Sequence, residues 1–543
     1  MKKNIITFLT STIFLGQLVA QNVVLTQFPQ NIHFYARDVA TNKATFNVSG
    51  FVKNTFVADT FRLELFRENV SIYQSVQQLT FTDGVFNFSQ KLDIKAELAN
   101  YQVVLTLSDA GKVVFTKKAE RIVAGDVIVV NGQSNNIGFH DPIDDDPFMR
   151  SFTFEYGGWN DVRYSFAGKW SGRLAKNIID KQKIPVALFN QSLGGERAGY
   201  YLKSNPDTSN YKALYNRLKA AGVEKNVRAI CWWQGESDGW ETPLDTFKNQ
   251  FKQLYSDWQK DYFNAPVFYF QIRYNSCRHV VPGIMETQRK VKVELPNAEI
   301  MSVNAALQYD SCHFFYNNGY DSLGNRLYRL VASRLYGGSS INVRPSDIDK
   351  TWFSGTHEVS IRMKNQTGDL KLIGSPWNDF EINLENNKIL PIAFGKVEGD
   401  KIILSFVADS TQIKKIIGVS YKSHVTKNED WIVNQMGVGI LSFYNIPVSS
   451  NPPSNTFDAP IEKIQWSLYP TIIENKLHYI VVHKKVKQGD IMVISLAGRV
   501  MLQKKLSVIE GEERGDIDVS DLPKGMYMAR YTEGGQVYKF FKM

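Results

Sequence analysis

The chain has 543 residues, of which 43% are hydrophobic and 22% charged, so it should form several globular domains and is not expected to be disordered. Its formal net charge of +9 is spread along the sequence without a block of lysine and arginine, which argues against a nucleic-acid-binding protein. The 34 Phe, 25 Tyr and 10 Trp must mostly build hydrophobic cores, although aromatic faces also suit sugar rings.

Residues 1–20 have the pattern of a secretory signal peptide. Lys2 and Lys3 precede an apolar segment from Ile5 to Leu15, and the small residue Ala20 offers a cleavage site. No other apolar stretch approaches the roughly 20 residues that a membrane helix needs. We therefore expect an exported chain without a membrane span.

Residues 21–120 are predicted to form an N-terminal antiparallel β-sandwich that serves as a structural platform. Short strands with alternating apolar residues are separated by polar turns, and no helical period lasts ten residues. The predicted strands are Ala44 to Val52, Thr60 to Phe66, Thr80 to Phe88, Tyr101 to Leu107 and Lys112 to Lys118.

Between residues 121 and 340 the pattern changes to short apolar strands alternating with amphipathic helices. Such alternation predicts an α/β domain with a parallel five-stranded sheet that is covered by helices on both faces. The predicted strands are Asp126 to Val130, Pro185 to Asn190, Ala229 to Trp233, Val267 to Ile272 and Glu299 to Val303.

The remainder of the chain is predicted to be rich in strands. Residues 341–446 form an accessory β domain without a helix signal, with predicted strands that include Val359 to Lys364 and Lys401 to Phe406. Residues 447–465, rich in Pro, Ser and Asn at their start, are predicted to be an exposed linker, and residues 466–543 a compact β module.

Polar residues follow the predicted strands of the middle domain where each strand ends. Ser134 lies in the motif GQSN, and the paired glycines Gly194 and Gly195 follow the next strand. Gln234 belongs to WWQGESD after the third strand, while Asp310 precedes His313 by three residues after the fifth. Because parallel strands place their carboxyl ends at one edge, these motifs should converge.

This set of residues predicts an acyl-transfer mechanism. Ser134 would attack an acyl carbonyl, His313 would take its proton and return it to the leaving alcohol, and Asp310 would fix the imidazole. The oxyanion would be met by the N–H of Ser134, the N–H of Gly195 and the side chain of Gln234.

In this order, the motifs GQSN, LGG, WWQGESD and DxxH resemble those of the SGNH hydrolase superfamily, especially the sialate O-acetylesterase group and related acetyl-xylan esterases. The resemblance implies a three-layer α/β/α, flavodoxin-like domain, the triad Ser134, Asp310 and His313, the same oxyanion donors, and no metal or cofactor. Two positions depart from the usual pattern beside the pocket: Asn136 stands where Met often follows GQSN, and Phe314 where Pro often follows the histidine.

Asn135, Arg197 and Arg273 are predicted to contact the substrate. Each arginine follows a strand at the active edge and could clamp a carboxylate such as that of a sialic acid. The alternative for either arginine is a salt bridge to Glu196 or another neighbour.

Other polar residues carry competing interpretations. Glu236 and Asp238 could be a glycosidase acid pair, but loop-holding hydrogen bonds are favoured because the pair would leave Ser134 and His313 without a role. A solvated acidic turn is favoured over a calcium loop for the cluster Asp141, Asp144, Asp145 and Asp146. His140 and His279 lack an aspartate three residues earlier and are therefore weaker candidates than His313.

The three cysteines, Cys231, Cys277 and Cys312, are too few for a disulfide scaffold, and one bridge with one free thiol is expected. Cys277 and Cys312 follow the fourth and fifth strands, which should be neighbours, so a bridge between them is one interpretation and free thiols the other. Cys231 lies within the third strand and should be buried.

The C-terminal module contains L-P-x-G-x-Y at Leu522 to Tyr527 and a closing segment at Lys539 to Lys542. In these residues, of which L-P-x-G-x-Y is the specific part, it resembles the type IX secretion sorting domain. The resemblance implies the type IX secretion machinery as a partner and a secreted or cell-surface protein, with a carbohydrate-binding β module as the alternative.

The sequence therefore predicts a secreted serine esterase that removes O-acetyl groups from an acetylated glycan, with sialate O-acetyl esters as the first candidate substrate. Two alternatives stay open: an esterase for acetyl-xylan or another polysaccharide, and a non-catalytic glycan-binding surface protein.

Overall fold

The protein was analysed as a computed structural model that describes residues 22–137, 146–162, 167–205, 210–239, 242–274, 277, 282–425, 429–450, 465–469, 472–483, 487–495, 500–508, 511–532 and 537–543. The predicted signal peptide, His140, His279, three of the four clustered aspartates and most of the predicted linker lie outside these residues. The chain divides into two compact units, Met1–Pro452 and Pro453–Met543.

The first unit opens with two sheets that share one apolar core. The strands are β1 (Val23–Gln27), β2 (Phe34–Ala36), β3 (Lys43–Lys53), β4 (Thr60–Arg67), β5 (Val70–Gln78), β6 (Val85–Lys95), β7 (Tyr101–Asp109) and β8 (Lys112–Gly132). β1, β3 and β6 form one antiparallel sheet, while β5, β4, β7 and the first half of β8 form the other. The ring centroids of Phe61 and Phe88 lie 4.9 Å apart across this core. β5 was not predicted, because its apolar residues Val70, Ile72 and Val76 are exposed and do not mark a buried face.

A parallel sheet occupies the centre of the first unit. Its further strands are β9 (Met149–Thr153), β10 (Gly158–Asp161), β11 (Val186–Asn190), β12 (Val227–Trp233), β13 (Val267–Gln271) and β14 (Ala298–Ser302). The order is β10-β9-β11-β8-β12-β13-β14, and each neighbouring pair is parallel except β10 and β9. The predicted five-stranded sheet was therefore incomplete, since β9 and β10 extend it. These two strands have no continuous apolar run in the sequence.

Helices cover both faces of this sheet. They are α1 (Lys169–Gln182), α2 (Asn210–Ala220), α3 (Leu244–Asp261), α4 (Pro282–Val291) and α5 (Asp321–Leu335). Ile128 and Val130 of β8 belong to one apolar cluster with α1 and α5, while Val127 and Val129 belong to another with α2 and α3. The apolar run in β8 is continuous because successive side chains enter opposite cores.

Strand β8 passes through the predicted domain boundary at residue 120. It is one 21-residue strand that pairs antiparallel with β7 up to Ile122 and parallel with β11 from Asp126. Arg121, whose φ is 55°, lies at an irregularity in register near the end of the antiparallel segment. The N-terminal strands and the central sheet are thus continuous through a single strand.

Residues after the central sheet form an accessory antiparallel sheet with its own core. Its elements are β15 (Asp347–Gly355), β16 (Glu358–Lys364), β17 (Lys371–Ile373), β18 (Phe380–Leu384), β19 (Ile389–Glu398), β20 (Lys401–Phe406), α6 (Ser410–Ile413), β21 (Ile416–Tyr421), β22 (Trp431–Val433) and β23 (Phe443–Ile446). The order is β15-β16-β20-β19-β18-β21-β23, and β17 pairs with β22. The short helix α6, capped by Asp409, was not predicted.

The start of the predicted linker belongs to this accessory sheet. The Thr351 hydroxyl donates to the Pro447 carbonyl at 2.5 Å, and the Ser449 N–H donates to the Thr351 carbonyl at 3.1 Å. The Phe353 N–H in turn donates to the Ser449 carbonyl at 3.0 Å. The free edge of β15 thus pairs with this segment, so the prediction that the linker begins at residue 447 was wrong.

The second unit consists of β24 (Gln465–Tyr469), β25 (Ile472–Ile473), β26 (Lys476–His483), β27 (Lys487–Ser495), β28 (Val500–Val508), β29 (Gly511–Asp518), β30 (Gly525–Tyr531) and β31 (Val537–Lys542). Two sheets, β24-β26-β29 and β25-β31-β30-β27-β28, share one core. Across the described part of the whole chain, no helix is long and apolar enough to cross a membrane.

Candidate active site

Ser134 lies where the chain leaves the central strand of the sheet. β8 ends at Gly132, and Ser134 opens a single 3-10 turn, Ser134–Asn136. The next two parallel strands in the chain, β11 and β12, lie on opposite sides of β8. Ser134 therefore lies at a point where the strand order reverses. A Cβ on Gly132 would lie 2.0 Å from the Trp233 carbonyl oxygen, so a larger residue does not fit in this turn.

The second motif passes directly beside this serine. The Leu193 N–H donates to the Gly132 carbonyl at 2.9 Å, which extends the pairing of β11 with β8. A Cβ on Gly194 would be 3.7 Å from the Ser134 Cβ, and Gly195 is exposed with a φ of 80°. The backbone of Gly194 therefore passes close enough to Ser134 that a side chain at position 194 would touch the serine.

Gln234 does not offer a free donor to this pocket. Its side chain is fully buried, and its amide nitrogen donates to the Glu196 carbonyl at 3.2 Å and to the Asp238 carboxylate. An amide nitrogen has two N–H bonds, and both are engaged. The geometry thus contradicts the predicted oxyanion role of Gln234.

Asp310 and His313 form the tip of a hairpin that we call the histidine hairpin, residues 307–315. Gln308 bridges Phe314, and the Asp310 Oδ1 accepts the N–H groups of Cys312 and His313, both at 2.6 Å. The Asp310 Oδ2 lies 3.1 Å from the His313 Nδ1. The Nε2 atom of the imidazole is therefore the nitrogen available for proton exchange.

These contacts keep Asp310 ionised. Partial burial alone would raise its pKa, but the hydrogen bonds from the His313 ring and from two backbone N–H groups outweigh burial and lower it. A carboxylate in this state can orient and stabilise a charged imidazolium.

A hydrogen bond connects the serine turn to the histidine hairpin. The Asn135 Nδ2 donates to the Cys312 carbonyl at 3.3 Å, which joins the residue after Ser134 to the residue before His313. Within the described residues there is no hydrogen bond between the Ser134 hydroxyl and His313. The structure therefore places the two residues on neighbouring loops.

Asn135 is a structural residue, which corrects its predicted contact with substrate. Its side chain is completely buried, its Nδ2 also donates to the Glu236 Oε1 at 2.8 Å, and its Oδ1 accepts the Tyr320 hydroxyl at 2.6 Å. Every polar atom of the amide is thus occupied by protein groups.

Glu236 and Asp238 are buried and hold loops, in agreement with the favoured interpretation. The Trp233 Nε1 donates to Glu236 at 2.7 Å, and the Ala198 N–H donates to Asp238 at 2.8 Å. Burial is the largest influence on both carboxyls and raises the pKa of each.

Arg273 is buried under the histidine hairpin and donates hydrogen bonds to it, which corrects its predicted contact with substrate. Its side chain is 2% exposed, and its Nη2 donates to the Asp310 carbonyl at 3.0 Å while its Nη1 donates to the Gln308 side chain. Its guanidinium carbon lies 5.2 Å from the centroid of the Phe314 ring. Burial lowers the pKa of Arg273, against the opposing effect of the Glu236 and Asp310 carboxylates. By contrast, Arg197 is exposed at the same edge.

A disulfide joins Cys277 to Cys312, as one interpretation of the sequence expected, and Cys231 is buried and free. The bridge ties the histidine hairpin to the loop after β13. Asp310, Cys312 and His313 bring one ligand atom each within 4.8 Å, but an oxidised Cys312 has no thiolate for a metal.

Several supporting residues were missed because the sequence contains no local signal for them. Asn136 is fully buried, and its Nδ2 donates to the carbonyls of Asn131 at 2.9 Å and Trp233 at 3.0 Å. Phe314 is buried against Trp233 and Tyr320. The two departures from the usual motif therefore stabilise the loops and do not line the pocket.

Comparison with protein families gives two matches. Residues 162–333 match the family described as carbohydrate esterase, sialic acid-specific acetylesterase, and residues 467–542 match the secretion system C-terminal sorting domain. The first match begins after Ser134 and includes the second, third and fourth motifs. A comparison with curated proteins gave no match.

Among solved structures, a carbohydrate acetylesterase from Xanthomonas citri superposes with a TM-score of 0.55 at 16% identity, over 78% of this chain and 99% of its own. An active-site mutant of a family two carbohydrate esterase from Clostridium thermocellum gives 0.29 at 12% identity, over 58% and 98%. A lipase/acylhydrolase from Enterococcus faecalis gives 0.27 at 15% identity, over 39% and 97%. The likeness to the Xanthomonas citri enzyme shows a shared fold.

The sorting domain implies export by the type IX secretion machinery, which makes this a secreted or cell-surface protein. The chain thus contains one segment that matches the sialic acid-specific acetylesterase family and a C-terminal segment that matches the secretion system sorting domain.

Proposed function

We propose that the protein is a secreted serine esterase that removes O-acetyl groups from carbohydrates, with Ser134, His313 and Asp310 as catalytic residues. The observation that carries this proposal is the histidine hairpin, in which Asp310 holds the His313 Nδ1 and Asn135 holds the hairpin next to Ser134. The family match supports a carbohydrate ester as the substrate class.

In this mechanism the Ser134 Oγ attacks the acetyl carbonyl while the Nε2 of His313 takes its proton. Asp310 fixes the ring and stabilises the imidazolium. The tetrahedral intermediate collapses when His313 gives the proton to the leaving sugar hydroxyl, which leaves an acetyl group on Ser134. A water molecule activated by His313 then releases acetate and restores the serine.

The oxyanion would be stabilised by the backbone N–H groups of Ser134 and Gly195. The close approach of Gly194 to Ser134, where an added Cβ would lie 3.7 Å from the serine Cβ, supports this assignment, since it brings the second motif next to the serine. Gln234 is left out because its amide is already engaged. Losing one oxyanion donor costs on the order of 10²-fold in rate or more.

The first candidate substrate is an O-acetylated sialic acid, and acetyl-xylan is the alternative. The family description and the exposed Arg197 support the acidic sugar, because a guanidinium recognises a carboxylate through two parallel hydrogen bonds. A neutral polysaccharide has no group that requires this arginine.

The test is acetate release by the full chain from O-acetylated sialic acid and from acetyl-xylan. Ser134→Ala and His313→Ala should each lower kcat by about 10⁴-fold or more. Ser311→Ala, which removes a hydroxyl from the same hairpin that the mechanism does not use, should keep parental activity. If the parent released no acetate from either substrate, the esterase proposal would be wrong and a glycan-binding role would lead.

A further inference from the structure

Two large aromatic rings lie exposed on the histidine hairpin. Tyr309 is 60% exposed and Phe315 is 43% exposed, although both types of side chain usually bury most of their surface. Their ring centroids are 5.1 Å apart and the ring planes meet at 84°, an edge-to-face contact. The two rings therefore support each other as one unit at the surface.

The hairpin places these rings on the same side as the proposed general base. The Tyr309 N–H donates to the His313 carbonyl and the Phe315 N–H donates to the Leu307 carbonyl, both at 2.9 Å. In such a pairing, alternate residues share a face, so Tyr309, His313 and Phe315 lie on one side.

The other side of the hairpin faces the protein interior. Gln308 and Phe314 belong to that side, and both contact the buried Arg273. Because Arg273 fixes the inner face, the outer face cannot turn inward without breaking those contacts. The exposure of Tyr309 and Phe315 is thus a consequence of the register of the hairpin.

We propose that Tyr309 and Phe315 form a stacking platform for the pyranose ring of the acetylated sugar. The inference rests on the proposed esterase function, and it assigns the part of the site that recognises the alcohol side of the ester. Aromatic faces attract the C–H groups of a sugar ring. Phe315 is two residues from His313 and Tyr309 is one residue from Asp310, so a sugar ring stacked on them would lie next to the leaving hydroxyl. Leu193, which is 42% exposed and whose N–H donates to the Gly132 carbonyl, adds apolar surface from the neighbouring strand end.

The test compares a sugar ester with an ester that has no ring. Acetate release by the full chain is measured on O-acetylated sialic acid, on acetyl-xylan and on ethyl acetate. For Tyr309→Ala and Phe315→Ala, kcat/KM on the preferred sugar ester should fall about tenfold each, mainly through KM, while ethyl acetate hydrolysis stays parental. Tyr309→Phe keeps the ring and should retain activity on the sugar ester.

Phe263→Ala is the matched control. Phe263 is 63% exposed, similar to Tyr309, but it follows α3 at the amino edge of the sheet, opposite the site. This variant should leave activity on all three esters unchanged.

The possible failures are distinguishable. If the parent hydrolyses none of the esters, the proposed function itself fails. If the parent is active and the Tyr309→Ala/Phe315→Ala double variant keeps its kcat/KM on the sugar ester, the platform is wrong. A parallel fall on ethyl acetate would also overturn it, because the rings would then serve the geometry of the hairpin alone.

Discussion

At the active edge, two arginines that look equivalent in the sequence have opposite surroundings. Arg197 is exposed, whereas Arg273 is buried and uses its donors on the Asp310 carbonyl and on Gln308. Both follow strands of the same sheet, and local sequence does not distinguish them. Their difference leads to two separate predictions.

Arg273→Gln should lower kcat by about tenfold or more and change KM by less than about twofold, because a misplaced hairpin impairs proton transfer more than binding. Steady-state kinetics on the preferred sugar ester measure this. A buried positive charge also disappears near Glu236, so the thermal midpoint should be recorded for each variant. An increase in KM confined to acidic sugars would show instead that Arg273 binds substrate.

Arg197→Gln should raise KM for O-acetylated sialic acid by about tenfold and leave acetyl-xylan unaffected, since a charged hydrogen bond to a carboxylate is lost. Arg197→Lys should restore part of the affinity because it keeps the charge but not the bidentate geometry. Equal effects on acidic and neutral substrates would refute a carboxylate clamp.

Among the elements, the histidine hairpin depends on the disulfide between Cys277 and Cys312. Replacing both cysteines by Ala should lower kcat several-fold, because the loop that carries His313 loses its covalent link to the loop after β13. Cys231→Ala keeps the bridge and should keep most of the activity.

Thiol labelling provides an independent check of this bridge. The denatured parent should take up one alkyl group without reductant and three with reductant, since one of its three cysteines is free. Three labels without reductant would show that the bridge does not form.

The accessory sheet contains a carboxyl group whose ionisation opposes folding. Asp379, 5% exposed, has a pKa raised to about 6, chiefly by burial and despite N–H donors from Val425 and His424. The folded chain then binds a proton that the unfolded chain has lost, so stability falls as pH rises from about 4 to about 6.

Asp379→Asn should therefore be more stabilising, relative to the parent, at pH 7.5 than at pH 4. The difference should be on the order of 3 kcal/mol at most, because one pKa unit corresponds to about 1.4 kcal/mol. Thermal unfolding at both pH values measures it, with Asp400→Asn in a turn of the same sheet as the control. The same stability difference at both pH values would contradict the prediction.

The elements most accessible to sequence reasoning were the buried central strands. Val127 to Val130 form a continuous apolar run because both faces of β8 are covered, and this pattern is visible locally. β5 was hidden because its apolar residues face solvent, and Asn135 looked like a substrate ligand because the sequence does not reveal that Glu236 and Tyr320 surround it. Local pattern identifies the strand ends, whereas the side chains that bind the Asn135 amide lie 101 and 185 positions away in the sequence.

For the whole molecule, the sequence suggested an esterase domain followed by an accessory β domain, and in the structure polar contacts join the two. The Gln271 Nε2 donates to the Ser442 carbonyl and the Ser442 N–H donates back to the Gln271 Oε1, both at 2.8 Å. The Asn304 Nδ2 donates to the Ile440 carbonyl at 2.7 Å, and Arg289 pairs with Asp347 at 3.0 Å. Gln271 and Asn304 lie at or just after the ends of β13 and β14, whereas Arg289 lies on α4. The partners of all three come from the accessory domain.

Two truncations follow from this interface and from the division of the chain at residue 452. A chain that ends at Pro452 lacks only the second compact unit and should retain parental activity and thermal stability. A chain that ends at residue 340 leaves Gln271 and Asn304 without these partners and removes Val343, Val438 and Leu441 from the two central cores, so it should aggregate or unfold at a much lower temperature.

Gln271→Leu in the full chain tests the same interface without truncation. It removes both hydrogen bonds to Ser442 and the one that the Gln271 Nε2 donates to the Met285 carbonyl at 3.1 Å. The two Ser442 backbone groups are left unsatisfied, which should cost about 1–3 kcal/mol for each group. Denaturant unfolding gives this value, and the acetate-release assay shows whether the site survives.

A stable, active chain ending at residue 340, or a Gln271→Leu variant with parental stability, would mean that the accessory sheet is only attached to the esterase domain. The opposite result would make the sheet a structural part of the catalytic unit, because the strand ends that carry Arg273 and the histidine hairpin rest against it.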